Sequence, residues 1–113
     1  MSGPPVPAAT PEPPYYAVIF TSARTGDDAA GYAGTARVMG ERAALQPGYL
    51  GVESARSDGL GITVSYWRDL DSIAAWKADV QHQLAQALGR ERWYERYVTR
   101  IAYVERAYGF SAE

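Results

Sequence analysis

Ser57-Asp58-Gly59 stands between two runs, Tyr49 to about Arg56 and Leu60 to Trp67. An Asp-Gly pair in that setting is a strong short-range signal for a tight β-hairpin. The turn commits the middle of the chain to two antiparallel neighbouring strands, and the other elements are counted outward from it. Upstream, Tyr15-Tyr16-Ala17-Val18-Ile19-Phe20-Thr21 is continuously apolar and rich in β-branched and aromatic residues, the pattern of a central strand covered on both faces. Between them the spacing predicts a helix with Asp27 or Asp28 as N-cap and Tyr32, Ala36, Met39 and Ala43 on one side, stopped by Gln46-Pro47-Gly48. Downstream, Asp69 or Asp71 caps a second helix with Ile73, Trp76, Val80, Leu84 and Ala87 on one stripe, and Gly89 is suited to ending it. A short helical turn around Arg90 to Tyr94 and a last strand from Tyr97 to Arg106 complete the chain. The order β-α-β-β-α-β predicts a ferredoxin-like α+β fold, a four-stranded antiparallel sheet with both crossover helices on one face.

Helices on one face leave the other bare, and here both faces are apolar. Ala17 and Ile19 alternate with Tyr16, Val18 and Phe20, and Ile62, Val64 and Tyr66 alternate with Thr63, Ser65 and Trp67. A bare apolar sheet is an aggregation hazard, so a homodimer packed sheet to sheet is expected. At 113 residues the chain has room for one core. Six of the seven prolines fall at Pro4, Pro5, Pro7, Pro11, Pro13 and Pro14, where fixed φ and missing N–H groups oppose helix and ladder. Residues 1–14 are therefore read as a disordered proline-rich lead and 15–110 as the domain. The lead has neither the basic nor the apolar region of a secretory signal, and no apolar run is long enough to span a membrane.

Eleven Lys and Arg against thirteen Asp and Glu make no electrostatic footprint for nucleic acid or acidic membranes. The absence of cysteine removes disulfides, thiolate catalysis and Cys-type metal sites and suits a cytoplasmic location. One histidine cannot build a His-rich metal centre, and no phosphate loop or serine-nucleophile elbow occurs. The paired acids Asp27-Asp28 and Asp69/Asp71 sit at helix starts, where capping explains them. Aromatic and basic residues remain. Tyr66-Trp67, Trp76 and Trp93-Tyr94 concentrate large rings in a short segment, with two uses open to them: core and dimer seam, or the walls of a pocket. His82 lies roughly 180° around the helix from Ile73. An unbroken helix turns it to solvent, and a break between Lys77 and Gln81 would turn it inward, where a near-neutral pKa suits proton transfer or a neutral imidazole suits a haem iron.

The segment Ile62-Thr63-Val64-Ser65-Tyr66-Trp67-Arg68, followed by Ile73-Ala74-Ala75-Trp76-Lys77, His82-Gln83-Leu84-Ala85-Gln86, Gly89-Arg90 and Trp93-Tyr94, resembles the antibiotic biosynthesis monooxygenase domain over about Tyr15 to Phe110. The resemblance implies a ferredoxin-like subunit, dimerised through its sheet into an α+β barrel, with a pocket between helices and sheet. It also implies oxidation of a phenolic or polycyclic small molecule by O₂ without metal or organic cofactor. Tyr66, Trp67, Trp76 and Trp93 would then hold the flat substrate, His82 would accept the proton, and Arg68 or Arg90 would stabilise negative charge. A haem-degrading branch of the family uses a histidine, an asparagine on the first strand and a tryptophan on the second helix. Trp76 and His82 stand closer together than that branch has them, and the chain has no asparagine. A non-catalytic dimeric module that binds a small apolar ligand or another protein is a third reading, since a fold does not determine a function.

Overall fold

Six elements follow one another: β1 (Tyr15–Arg24), α1 (Ala29–Ala44), β2 (Tyr49–Ser57), β3 (Leu60–Trp67), α2 (Leu70–Ala87) and β4 (Tyr94–Val104). The computed structural model describes residues 6–26, 29–87 and 93–112, and the side chains of 29, 30 and 81–87 lie outside that description. The strands form one antiparallel sheet in the order β2-β3-β1-β4, the expected ferredoxin-like arrangement. At the hairpin Asp58 (φ 51°) and Gly59 (φ 83°) both take positive φ, the backbone that matches a two-residue turn to the twist of its strands.

Alternation along β1 sorts the layers. Tyr16 and Val18 pack with Trp67 and Tyr49 against Ala43 of α1 and Ile73 and Trp76 of α2, so this face of the sheet is the one beneath the helices. Farther along, Phe20 joins Tyr32 and Met39 of α1, Val80 of α2, and Trp93, Tyr94 and Tyr97 in a second cluster. The helices are tied to each other by a bidentate pair, with Arg42 Nη2 2.6 Å and Nε 3.0 Å from the carboxylate of Asp79. Among the described residues no helix is long and apolar enough to cross a membrane.

Local chemistry explains most of the boundaries. Asp69 caps α2 by accepting the Ser72 N–H at 2.8 Å, and its hydrogen bonds with Ser72 hold its carboxyl below the usual range. Asp27 and Asp28, the expected caps of α1, lie outside the described residues. Of the helical turn expected around Arg90 to Tyr94, residues 90–92 also lie outside, and Tyr94 instead opens β4. That strand begins three residues before the expected Tyr97, because a register shift beside Arg24 lets Tyr94 pair there while its ring joins the second cluster. Residues 6–14 form neither helix nor strand. They are nevertheless anchored on the open face of the sheet, where the Ala8 N–H donates to Glu53 at 2.7 Å and the Thr10 and Tyr15 hydroxyls meet at 2.8 Å.

Gly48 joins α1, β2 and α2. Its φ is +85°, its carbonyl accepts the Arg68 N–H at 2.8 Å, and a Cβ there would overlap the Ser72 side chain. Gly48→Ala is expected to lower unfolding stability by about 1–3 kcal/mol, combining left-handed strain with displacement of the α2 cap. Chemical denaturation checks this, and an unchanged midpoint would refute it.

Candidate functional site

Strand alternation and register decide which of the expected site residues meet. Trp67 is wholly buried at 0% exposure beneath the helices. Its Nε1–H donates to Ser65 Oγ at 2.9 Å, and its ring stacks on Trp76 with centroids 6.0 Å apart. Trp76 is half-buried and packs against the core of Ala43, Trp67 and Ile73. Tyr66, one residue earlier, stands on the opposite face. Its ring meets Tyr15 edge-on at 5.8 Å, and its hydroxyl donates to Glu53. It therefore shares no pocket with Trp67 and Trp76. Arg68 is exposed at the end of β3, with Nε 3.4 Å from Asp69. Trp93 is buried in the second cluster and meets Tyr32 edge-on at 5.7 Å. His82 belongs to α2, but its side chain lies outside the described residues, as does Arg90.

The helix-covered face also holds a polar group within the second cluster. Arg24 continues the row Tyr16, Val18, Phe20 and Ser22 on β1, and its Cζ lies 3.7 Å over the Tyr32 ring. Arg56 is brought there by registers that align it with Gly61 on β3 and Gly61 with Ser22 on β1. Its Nη2 donates to Ser22 Oγ at 2.8 Å and its Nη1 to the Gly59 carbonyl at 2.9 Å, with Cζ 5.7 Å from the same Tyr32 ring. Gly61 leaves space for this, since a Cβ there would collide with the Arg56 guanidinium. The Tyr94 hydroxyl is 3.5 Å from that of Tyr32. Burial, and then that contact, push the Tyr94 phenol well above its ordinary value, with Arg56 and Arg24 pulling the other way.

Tyr32 and Tyr94 stand out in the sequence only as large rings, and nothing local marks Arg24, Arg56 or Ser22 as their neighbours. The signal lay in the hairpin: a two-residue turn at Asp58-Gly59 sets Arg56 against Gly61, and period two carries Arg24 onto the face of Phe20. Among the described residues no group of His, Asp and Glu is placed to hold a metal ion.

Glu53 and Tyr66 make a separate polar clamp on the open face. The Tyr66 hydroxyl first, and the Ala8 N–H second, hold the Glu53 carboxyl below its ordinary 4.5. Burial first, and Glu53 second, push Tyr66 up to about 12. A carboxyl lowered by folding contributes stability that is complete above its unfolded pKa and is lost as pH falls through the folded one. The stability advantage of the native chain over Glu53→Gln is therefore expected to hold down to about pH 4.5 and shrink below it. Denaturation midpoints of the two chains across the acid range measure this, and a difference that stays constant there would refute the clamp.

No family model matches the chain. It is 55% identical over 98 residues to the uncharacterised protein YqjZ of Bacillus subtilis, covering 86% of this chain and 85% of that one. Its fold is similar to a putative antibiotic biosynthesis monooxygenase from Nitrosomonas europaea, with a TM-score of 0.67 at 14% identity over 80% of this chain and 89% of that one. It is likewise similar to SnoaB, a cofactor-independent oxygenase from Streptomyces nogalater, with a TM-score of 0.62 at 16% identity over 89% of this chain and the whole of that one.

Proposed function

Since the chain belongs to the family of Bacillus subtilis YqjZ and shares its fold with an antibiotic biosynthesis monooxygenase-like protein, we propose that it oxygenates a phenolic or polycyclic aromatic molecule with O₂, without metal or organic cofactor. The observation that carries this reading is the run of packed aromatic rings on the helix-covered face, from the Trp67–Trp76 stack to Tyr32, Trp93 and Tyr94, within a fold shared with a cofactor-independent oxygenase. Flat apolar walls hold a flat substrate and exclude water from it.

In the reaction the substrate loses a proton and its electron-rich carbon reduces O₂, forming a C–O bond to a peroxide. The O–O bond then breaks with release of water and leaves a carbonyl. The substrate supplies all the electrons, so the protein's work is to orient, desolvate and deprotonate. His82, the chain's single histidine, is the proposed proton acceptor, with Trp76 and Trp93 as walls.

Purified protein is expected to consume O₂ with at least one member of a panel of hydroquinones and anthrones, with one O₂ used and one water released per carbonyl formed at an anthrone's methylene carbon. His82→Ala is expected to lower kcat by about 10²-fold or more. No uptake with any of the panel, together with unchanged ligand binding in His82→Ala, would end the reading. A Soret shift on adding haemin would favour the haem alternative instead.

The homodimer belongs to the same proposal. Ile62 and Val98 stand exposed on the open face, and Tyr108 and Phe110, beyond β4, are 102% and 92% exposed, apolar surface that a second copy would cover. Light scattering is expected to give a dimer for the native chain and a monomer for Ile62→Glu/Val98→Glu. A native chain that stays monomeric at high concentration would refute it.

A further inference from the structure

The donors around Tyr32 outnumber their acceptors. Arg24 Nε and Nη2 and Trp93 Nε1 are all buried without a hydrogen-bond partner. Trp93 packs edge-on against the ring that Arg24 covers, and Arg56 places a second guanidinium near it. Neither arginine pairs with a carboxylate among the described residues, whereas Arg42 pairs with Asp79 and Arg68 with Asp69. Buried donors and charges are costly unless paired, and what this group lacks is a species that only accepts.

The geometry of Arg24 narrows the choice. Nε and Nη2 lie on one edge of the guanidinium, the two-pronged edge that meets both oxygens of a carboxylate in parallel. Arg56 already uses Nη1 and Nη2 on Gly59 and Ser22, so it is held in place as a second positive charge. The apolar surroundings are the rings of Phe20, Tyr32, Trp93, Tyr94 and Tyr97.

We propose that Arg24 and Arg56, beside Tyr32, form a recognition site for the carboxylate of an aromatic acid. Arg24 grips the carboxylate by its free edge, Arg56 supplies the second charge, and the neighbouring rings pack against the aromatic body. The inference rests on the oxygenase reading only in naming its substrate class, and binding can be measured without turnover.

The full chain is titrated with naphthoate and with the uncharged naphthalenemethanol by calorimetry. Naphthoate is expected to bind about tenfold tighter or more, since a charged partner to a buried guanidinium is worth at least that factor. Arg24→Gln and Arg56→Gln are each expected to remove most of that preference while leaving binding of the alcohol within about twofold. Arg24→Lys, which keeps the charge and loses the two-pronged edge, is expected to weaken naphthoate binding as well. Gly61→Ala, which displaces the Arg56 guanidinium, carries the test should an arginine variant not fold.

Equal affinity for acid and alcohol, or a preference that survives in both glutamine variants, would overturn the site and show that the cation–π contact with Tyr32 is all that Arg24 does. Inorganic phosphate competing as strongly as benzoate would overturn the aromatic-acid assignment. Naphthoate binding in a protein that takes up no O₂ would leave the site and remove the oxygenase reading. O₂ uptake on neutral phenols with no preference for acids would do the reverse.

Discussion

Period-two alternation along β1 is the constraint on which the rest of the molecule depends. This strand pairs with β3 on one side and β4 on the other, so its choice of face is imposed on its neighbours by register. Tyr16, Val18, Phe20, Ser22 and Arg24 stand on the helix side, and the residues between them face the lead and the open side. A slip by one residue would bring Trp67 out from under the helices, lift Arg56 away from Ser22 and carry Tyr66 into the core in place of Trp67. The core, the arginine cluster and the Glu53 clamp are thus consequences of one register.

The helix-covered face is divided along β1 into two unlike ends. Around Trp67, Ile73 and Ala43 the polar atoms are satisfied: the Trp67 indole donates to Ser65, and the rest is apolar contact. Around Tyr32 and Trp93 the rings are as large, yet the buried donors exceed the acceptors. The first end has what a stable core requires. The second departs from it in a direction that costs stability, and sites of function are where such departures are expected to concentrate.

Much of the fold was legible because its signals are local. Asp58-Gly59 placed β3 at its observed ends, Asp69 capped α2, and Gly48 closed the turn after α1, each through short-range backbone chemistry. The start of β4 was not legible, since Tyr94 joins the strand through a register shift beside Arg24, a tertiary event with no local trace. The aromatic cluster was visible as composition but not as geometry. Alternation already sends adjacent Tyr66 and Trp67 to opposite sides of the sheet, but which rings of distant segments join Trp67 beneath the helices is set by tertiary packing. The arginine cluster has no local trace for the converse reason: each arginine sits at a strand end, where a charge reads as a solvated terminus, and only the crossing of two registers brings them to one ring.

That crossing also bears on how far similarity of fold can inform function here. SnoaB and the Nitrosomonas protein share the backbone path at 16% and 14% identity, so the sheet, its helices and its two faces are common property while the side chains on them are mostly not. Arg56 reaches Ser22 only because position 61 is glycine, and one buried edge of Arg24 stays unpaired because no acidic side chain among the described residues meets it. Both conditions are set by individual residues on a backbone that accommodates many others. The chemistry of this chain is therefore to be sought where its own residues leave a bonding requirement unmet, and on the helix-covered face that place is the edge of Arg24 beside Tyr32.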